Sequence, residues 1–196
     1  MRLSAAFALL AIAGLAACER APDATPNEAN AANAVAPAVE NSASNAGNTS
    51  TAPDPVMDRL GPIRVGATIA DLTGDGLAVA GRDEPVPGST CSYARFRGLD
   101  DVAVMLDGER VVRIDVKGQQ HEGPHGLRVG QSEVDAIARL DDPHVQPHPY
   151  TGPEGHYLVM HDDGAPFGLI AETDGKTVQS WRIGQWEQVQ WIESCF

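Results

Sequence analysis

The sequence predicts an α+β fold: one globular domain of two tandem repeats, each a short helix plus a three- to four-stranded antiparallel sheet. Three observations carry the prediction. Ile63-Arg64-Val65-Gly66 returns as Leu127-Arg128-Val129-Gly130, and each copy runs into a short helical pattern. Each half then continues into two apolar segments divided by Asp-Gly, the strongest short-range hairpin signal. The two Val-Gly pairs lie 64 residues apart and the two Asp-Gly turns 67 apart, the near-constant offset expected of a duplicated unit.

In the first repeat, about 61–118, the helical pattern covers Thr68 to Leu72 and a strand is expected over Cys91 to Phe96. Val102 to Leu106 turns at Asp107-Gly108 into Val111 to Val116. There Val112, Ile114 and Val116 alternate with Arg113, Asp115 and Lys117, which predicts one buried and one wet face. In the second repeat, about 126–195, the helix spans Ser132 to Leu140, with Ser132 or Gln131 as cap, acids in its first turn and Arg139 in its last. Strands follow at His156 to Met160, Phe167 to Ala171, Val178 to Ile183 and Gln188 to Ile192, with Asp174-Gly175 closing the central hairpin. Helices of two to three turns are not stable alone, so both must pack on the sheet.

Ahead of the domain (56–196) lie two segments of different texture. Arg2 opens the chain, Ala5 to Leu15 is almost wholly apolar, and small residues precede a cysteine, the layout of a secretion signal rather than of a spanning helix. Leu15-Ala16-Ala17-Cys18 resembles the lipobox of bacterial lipoproteins, which implies a signal peptide over 1–17, cleavage before Cys18 and acylation of its sulfur. Glu19 rather than Asp follows the cysteine. The resemblance therefore implies an envelope protein anchored by lipid, in the outer membrane facing the periplasm rather than in the inner one. Beyond Cys18, residues to position 55 are Ala, Asn, Pro, Ser, Thr and acids with almost no large apolar side chain. That composition predicts a disordered tether with a reach of roughly 30–35 Å.

The chain carries 27 acids against 14 bases, a formal net charge of -13. With no basic stripe to displace counterions, nucleic acid and anionic head groups are disfavoured as partners. Once Cys18 is acylated, Cys91 and Cys195 remain, an even number in an oxidising compartment. They are read as a disulfide, the alternative being two buried thiols.

All six histidines fall in the second half: His121, His125, His144, His148, His156 and His161. The spacing of His144 and His148 suits one metal ion only on a helix, and Pro143, Pro147 and Pro149 argue for loops there. Metal binding through these two histidines stands as an alternative to exposed loop residues. Asp71 to Gly76 has the alternating oxygens of a calcium loop, but the twelfth position is Arg82 where a bidentate Glu is required. No nucleotide-binding glycine pattern, Gly-x-Ser-x-Gly elbow or His-Glu-x-x-His helix occurs, so no cofactor and no catalytic centre are expected. Trp181, Trp186 and Trp191 crowd the final segment, with Tyr157 upstream. Trp181 reads as core, while Tyr157 and Trp186 are candidates for a recognition surface, which is expected on the open sheet face or the rim loops from Tyr150 to Tyr157.

The landmarks Val65-Gly66, Cys91-Ser92-Tyr93, Met105 to Gly108, Val129-Gly130, Pro147-His148-Pro149-Tyr150 and Glu193-Ser194-Cys195 resemble those of a group of uncharacterised proteobacterial envelope lipoproteins. The repeat layout also looks like β-lactamase-inhibitor proteins and small outer-membrane assembly lipoproteins. These resemblances imply a fold and no activity. The expected function is a non-catalytic binding or interaction module whose partner is an envelope protein or a cell-wall glycan. A periplasmic metal-binding protein and an envelope hydrolase are the alternatives.

Overall fold

The structure, a computed structural model, describes residues 56–195. The expected signal peptide, Cys18 and the tether lie outside the described residues. The chain forms β1 (Arg59–Leu60), β2 (Ile63–Arg64), α1 (Ile69–Gly74), β3 (Val79–Arg82), β4 (Cys91–Phe96), β5 (Val102–Asp107) and β6 (Arg110–Val116). A 3-10 turn at Pro124–Gly126 leads to α2 (Glu133–Leu140), β7 (His144–Pro147), β8 (His156–Met160), β9 (Phe167–Thr173), β10 (Val178–Gln185) and α3 (Trp186–Val189). The fold is α+β. β1 and β2 pair with each other, and the other strands build one eight-stranded antiparallel sheet in the order β3-β4-β5-β6-β10-β9-β8-β7.

Local chemistry explains where the helices begin. Thr68 accepts a hydrogen bond from the Asp71 amide (3.1 Å), and the Asp71 carboxylate accepts one from the Thr68 amide (2.8 Å). This reciprocal cap contributes about 1 kcal/mol. Ser132 accepts from the Asp135 amide (3.1 Å), with Glu133 and Asp135 in the first turn of α2 and Arg139 in its last. The Val-Gly segments preceding each cap dock on the sheet in the same way. Gly66 N donates to Val111 O (2.7 Å), and Gly130 N donates to Val178 O (2.8 Å).

One face of the sheet packs beneath α1 and α2. Phe96, Val104, Leu106, Val111, Ile114, Leu158, Leu169, Trp181 and Ile183 join Ile63, Leu72, Ala136 and Leu140 in a single continuous core. Trp181 is core, as the sequence predicts. On the other face the strands present Cys91, Tyr93, Met105, Val112 and Arg113 in one half and Tyr157, Val159, Ile170, Glu172 and Arg182 in the other.

Two expectations are corrected here. The alternation along β6 breaks because the register with β5 shifts between Met105 and Leu106. The bulge turns Val112 away from Ile114 and Val116, onto the second face beside Met105. Nor is that face wet, since Arg113 is only 3% exposed. The second correction concerns Gln188 to Ile192. Pairing ends at Gln185 opposite Phe167, and the chain then leaves the sheet, makes the one-turn α3 and crosses the second face instead of adding a strand.

Candidate binding cleft

Buried cations hold the C-terminal segment on the second face. Arg113 donates to Gln188 O and Trp191 O (both 2.8 Å) and to the Tyr93 hydroxyl (2.7 Å), and its guanidinium forks onto the Asp115 carboxylate at 3.1 Å. From the neighbouring strand, Arg182 donates to Val189 O (2.6 Å) and pairs with Glu172. The two arginines thus satisfy the carbonyls that a helix end leaves open, where a cation is also favoured by the peptide dipoles. Burial pushes the Glu172 carboxyl up, but the Arg182 charge and the hydrogen bonds from Arg182 and Ser180 outweigh it and hold the group below the ordinary glutamate range. Burial, with the Asp115 charge beside it, pushes the Tyr93 hydroxyl up.

Two further attachments complete the arrangement. Trp186 lies flat on Gly168, where an added Cβ would sit 2.5 Å from its ring, and stacks on His161 with ring centroids 4.0 Å apart. At the far end Cys195 is bonded to Cys91 on β4, with Cα atoms 5.4 Å apart and a sequence separation of 104. The predicted disulfide is therefore present, and it fastens the last turn to the sheet.

Against this segment rests the turn 148–155. His148 Nδ1 accepts the amides of Tyr150 (3.1 Å) and Thr151 (3.2 Å), which places its proton on Nε2, 3.8 Å from Glu172. Its ring leans on Tyr157 at 4.5 Å. So oriented, the turn presents Tyr150, whose hydroxyl donates to Glu193 (2.8 Å). The Glu193 carboxylate, by that bond and by its charge, pushes the Tyr150 hydroxyl up.

Between the turn, the tail and the β5–β6 hairpin opens a cleft of about 900 Å³. Asp107, Tyr150, Glu187, Trp191, Ile192 and Glu193 define its character, with the disulfide at one end. Tyr150 is 65% exposed and Trp191 37%, and Ile192 is exposed beside them. Apolar groups of this size left in water next to carboxylates form a surface able to bind a partner.

The structure redistributes the residues singled out in the sequence. Tyr157 is only 6% exposed and lies under His148 and beside Arg182, whose guanidinium carbon is 5.5 Å from its ring. With Trp186, it belongs to a small core with Val159, Ile170 and Val189. Neither lines the cleft: Tyr157 is covered by His148, and Trp186, half-buried, packs on Gly168 and His161. Tyr150, Trp191 and Ile192 take that place. For Trp191 and Ile192 the clue in the sequence was their apolar character within a run of acids and amides, and for Tyr150 its place in the loop between Pro149 and Tyr157.

His144 and His148 are not brought together. β7 is extended, so the four-position step from His144 to His148 spans about 13 Å. Gln146 engages the His144 ring, while His148 is committed to its own turn. Among the described residues no group of three or more His, Cys, Asp or Glu side chains could hold a metal ion. Nor does the His156 site resemble a nucleophile with its base. The His156 ring and the Thr173 hydroxyl both bond to the Glu133 carboxylate rather than to each other, and the trio ties α2 to β8 and β9.

The chain matches no family model and no curated protein. Among solved structures it is similar to an extracellular protein containing an SCP domain from Bacillus anthracis str. Ames, with 11% identity and a TM-score of 0.44. The match covers 63% of this chain and 44% of that one, so the chain spans less than half of its relative, and a likeness this distant carries no argument.

Proposed function

We propose that this protein is a non-catalytic binding module of the bacterial envelope, tethered by lipid at Cys18, and that the cleft over the second sheet face is where it binds. One observation carries the reading: two buried arginines, a disulfide and a histidine-closed turn all serve to hold Tyr150, Trp191 and Ile192 at the surface. Burying charge and fixing a tail is costly. The result here is a rigid, exposed aromatic wall, the pre-organisation that reduces the entropy lost on binding.

A photoreactive residue placed at Ile192, with a second at Val134 on the opposite, helix-covered side, tests the site in intact cells. Val134 is 77% exposed and serves as the matched control. A partner, protein or glycan, captured at 192 and not at 134 is the expected result. Equal capture, or capture at 134 alone, would reject the cleft. The anchor has its own test: Cys18→Ser is expected to release the protein from the membrane fraction, and continued membrane association would refute it. No helix among the described residues is long and apolar enough to cross a membrane.

The same reading includes a domain of two tandem copies, about 61–118 and 126–195. Its support is geometric. Besides the paired Gly66 and Gly130 bonds, isolated bridges join Thr68 to Arg110 and Ser132 to Thr177, so each helix cap touches the start of the last strand of its own half. The sheet order places β3–β6 and β10–β7 on either side of the β6–β10 seam.

A further inference from the structure

Resting on the cleft as a binding surface, we propose that its occupant is a cationic peptide segment of a partner protein, bound through an arginine or lysine side chain. The cleft is lined by Asp107, Glu187 and Glu193 and by no lysine, arginine or histidine. Asp107 accepts only a hydroxyl from Thr90 and Glu193 only one from Tyr150, while Glu187 has no partner among the described residues. Among the described residues no cation neutralises any of the three carboxylates, although Arg113 lies close by, because its donors are spent on Asp115, Tyr93 and two carbonyls.

The wall supplies what a basic side chain needs besides charge. Exposed Trp191 and Tyr150 offer ring faces to a guanidinium or ammonium group. Exposed Ile192 offers apolar surface to its methylene stem. At about 900 Å³ the cleft is larger than one side chain, so neighbouring residues of the segment enter as well. The net charge of -13 steers such a partner inward. A neutral glycan would stack on the rings yet leave the carboxylates without a counter-charge, and an anionic ligand would be repelled.

The test uses the full chain with three probes: fluorescein-labelled hexa-arginine, hexa-glutamate and an N-acetylglucosamine tetramer. Two charge-matched variants are compared, Asp107→Asn with Glu187→Gln in the cleft and Asp141→Asn with Asp142→Asn at the exposed end of α2, on the opposite side of the sheet. The cleft pair is expected to weaken hexa-arginine binding by about tenfold and the remote pair by less than about twofold, with Trp191→Ala weakening it by about fivefold. Equal weakening by both pairs would mean diffuse attraction and overturn the proposal. Tetramer binding that depends on Trp191, without hexa-arginine binding, would overturn the cationic occupant while leaving the cleft standing. Indifference of every probe to every cleft substitution would remove both.

Discussion

Replacing Arg113 by Met tests whether a buried cation holds the C-terminal segment. The substitution keeps much of the stem volume and removes every donor. It strands Gln188 O, Trp191 O and the Tyr93 hydroxyl, and leaves Asp115 half-buried without its counter-ion. Stranded buried groups cost about 1–3 kcal/mol each, although water entering from the cleft recovers part of that. Breaking a buried ion pair from one side costs about 3–5 kcal/mol, and we take this as the expected loss. At a urea slope of about 2 kcal/mol/M the midpoint should fall by roughly 2 M. Arg64→Met, which breaks an exposed pair with Asp75, is the control and should cost less than about 1 kcal/mol. Adding Asp115→Leu to Arg113→Met should recover part of the loss, since it removes the orphaned charge. If Arg113→Met costs no more than Arg64→Met, the tail is held by something else.

Three other outcomes follow from the same contacts. Replacing Cys91 and Cys195 by Ser opens a loop of 104 residues, worth up to about 4–5 kcal/mol in the chain-entropy model, and should make the segment after Trp186 the first site of limited proteolysis within residues 56–195. Gly168→Ala puts a methyl into the Trp186 ring, so a loss of about 1–3 kcal/mol with red-shifted tryptophan emission is expected, and an unchanged spectrum would contradict the packing described. For pH, the Glu172 carboxyl is held below its ordinary value of 4.5, so its contribution is complete above the unfolded value and is lost as pH falls through the folded one. The urea midpoint should therefore decline from about pH 5 downward, and Glu172→Gln, already without that contribution, should show a shallower decline.

Local signals in the chain were read correctly wherever the deciding physics was itself local. Cys91–Phe96 and His156–Met160 form strands with the expected limits, both Asp-Gly hairpins close, and Ser132 caps its helix. What escaped the sequence depends on partners distant in the chain. Arg113 reads as a solvent-facing charge because nothing nearby shows that the carbonyls of Gln188 and Trp191 will descend on it. Gln188 to Ile192 alternates like a strand, yet β10 already has β6 and β9 as neighbours, which leaves the tail no edge to join there. The prolines around His144 suggested a loop, whereas β7 is an edge strand that tolerates Pro147 at its end. Tyr157 reads as a contact residue for the same reason, since burial beneath segments that return from elsewhere in the chain leaves no trace in periodicity.

The central claim is that function resides on the tail-covered face, in the cleft beside the disulfide. Backbone amide shift mapping of the domain during titration with hexa-arginine tests it most directly. Perturbations confined to residues near Thr90, Asp107, Tyr150 and 187–195 are the predicted result, and perturbations centred on α1, α2 or the Pro124–Gly126 turn would contradict it.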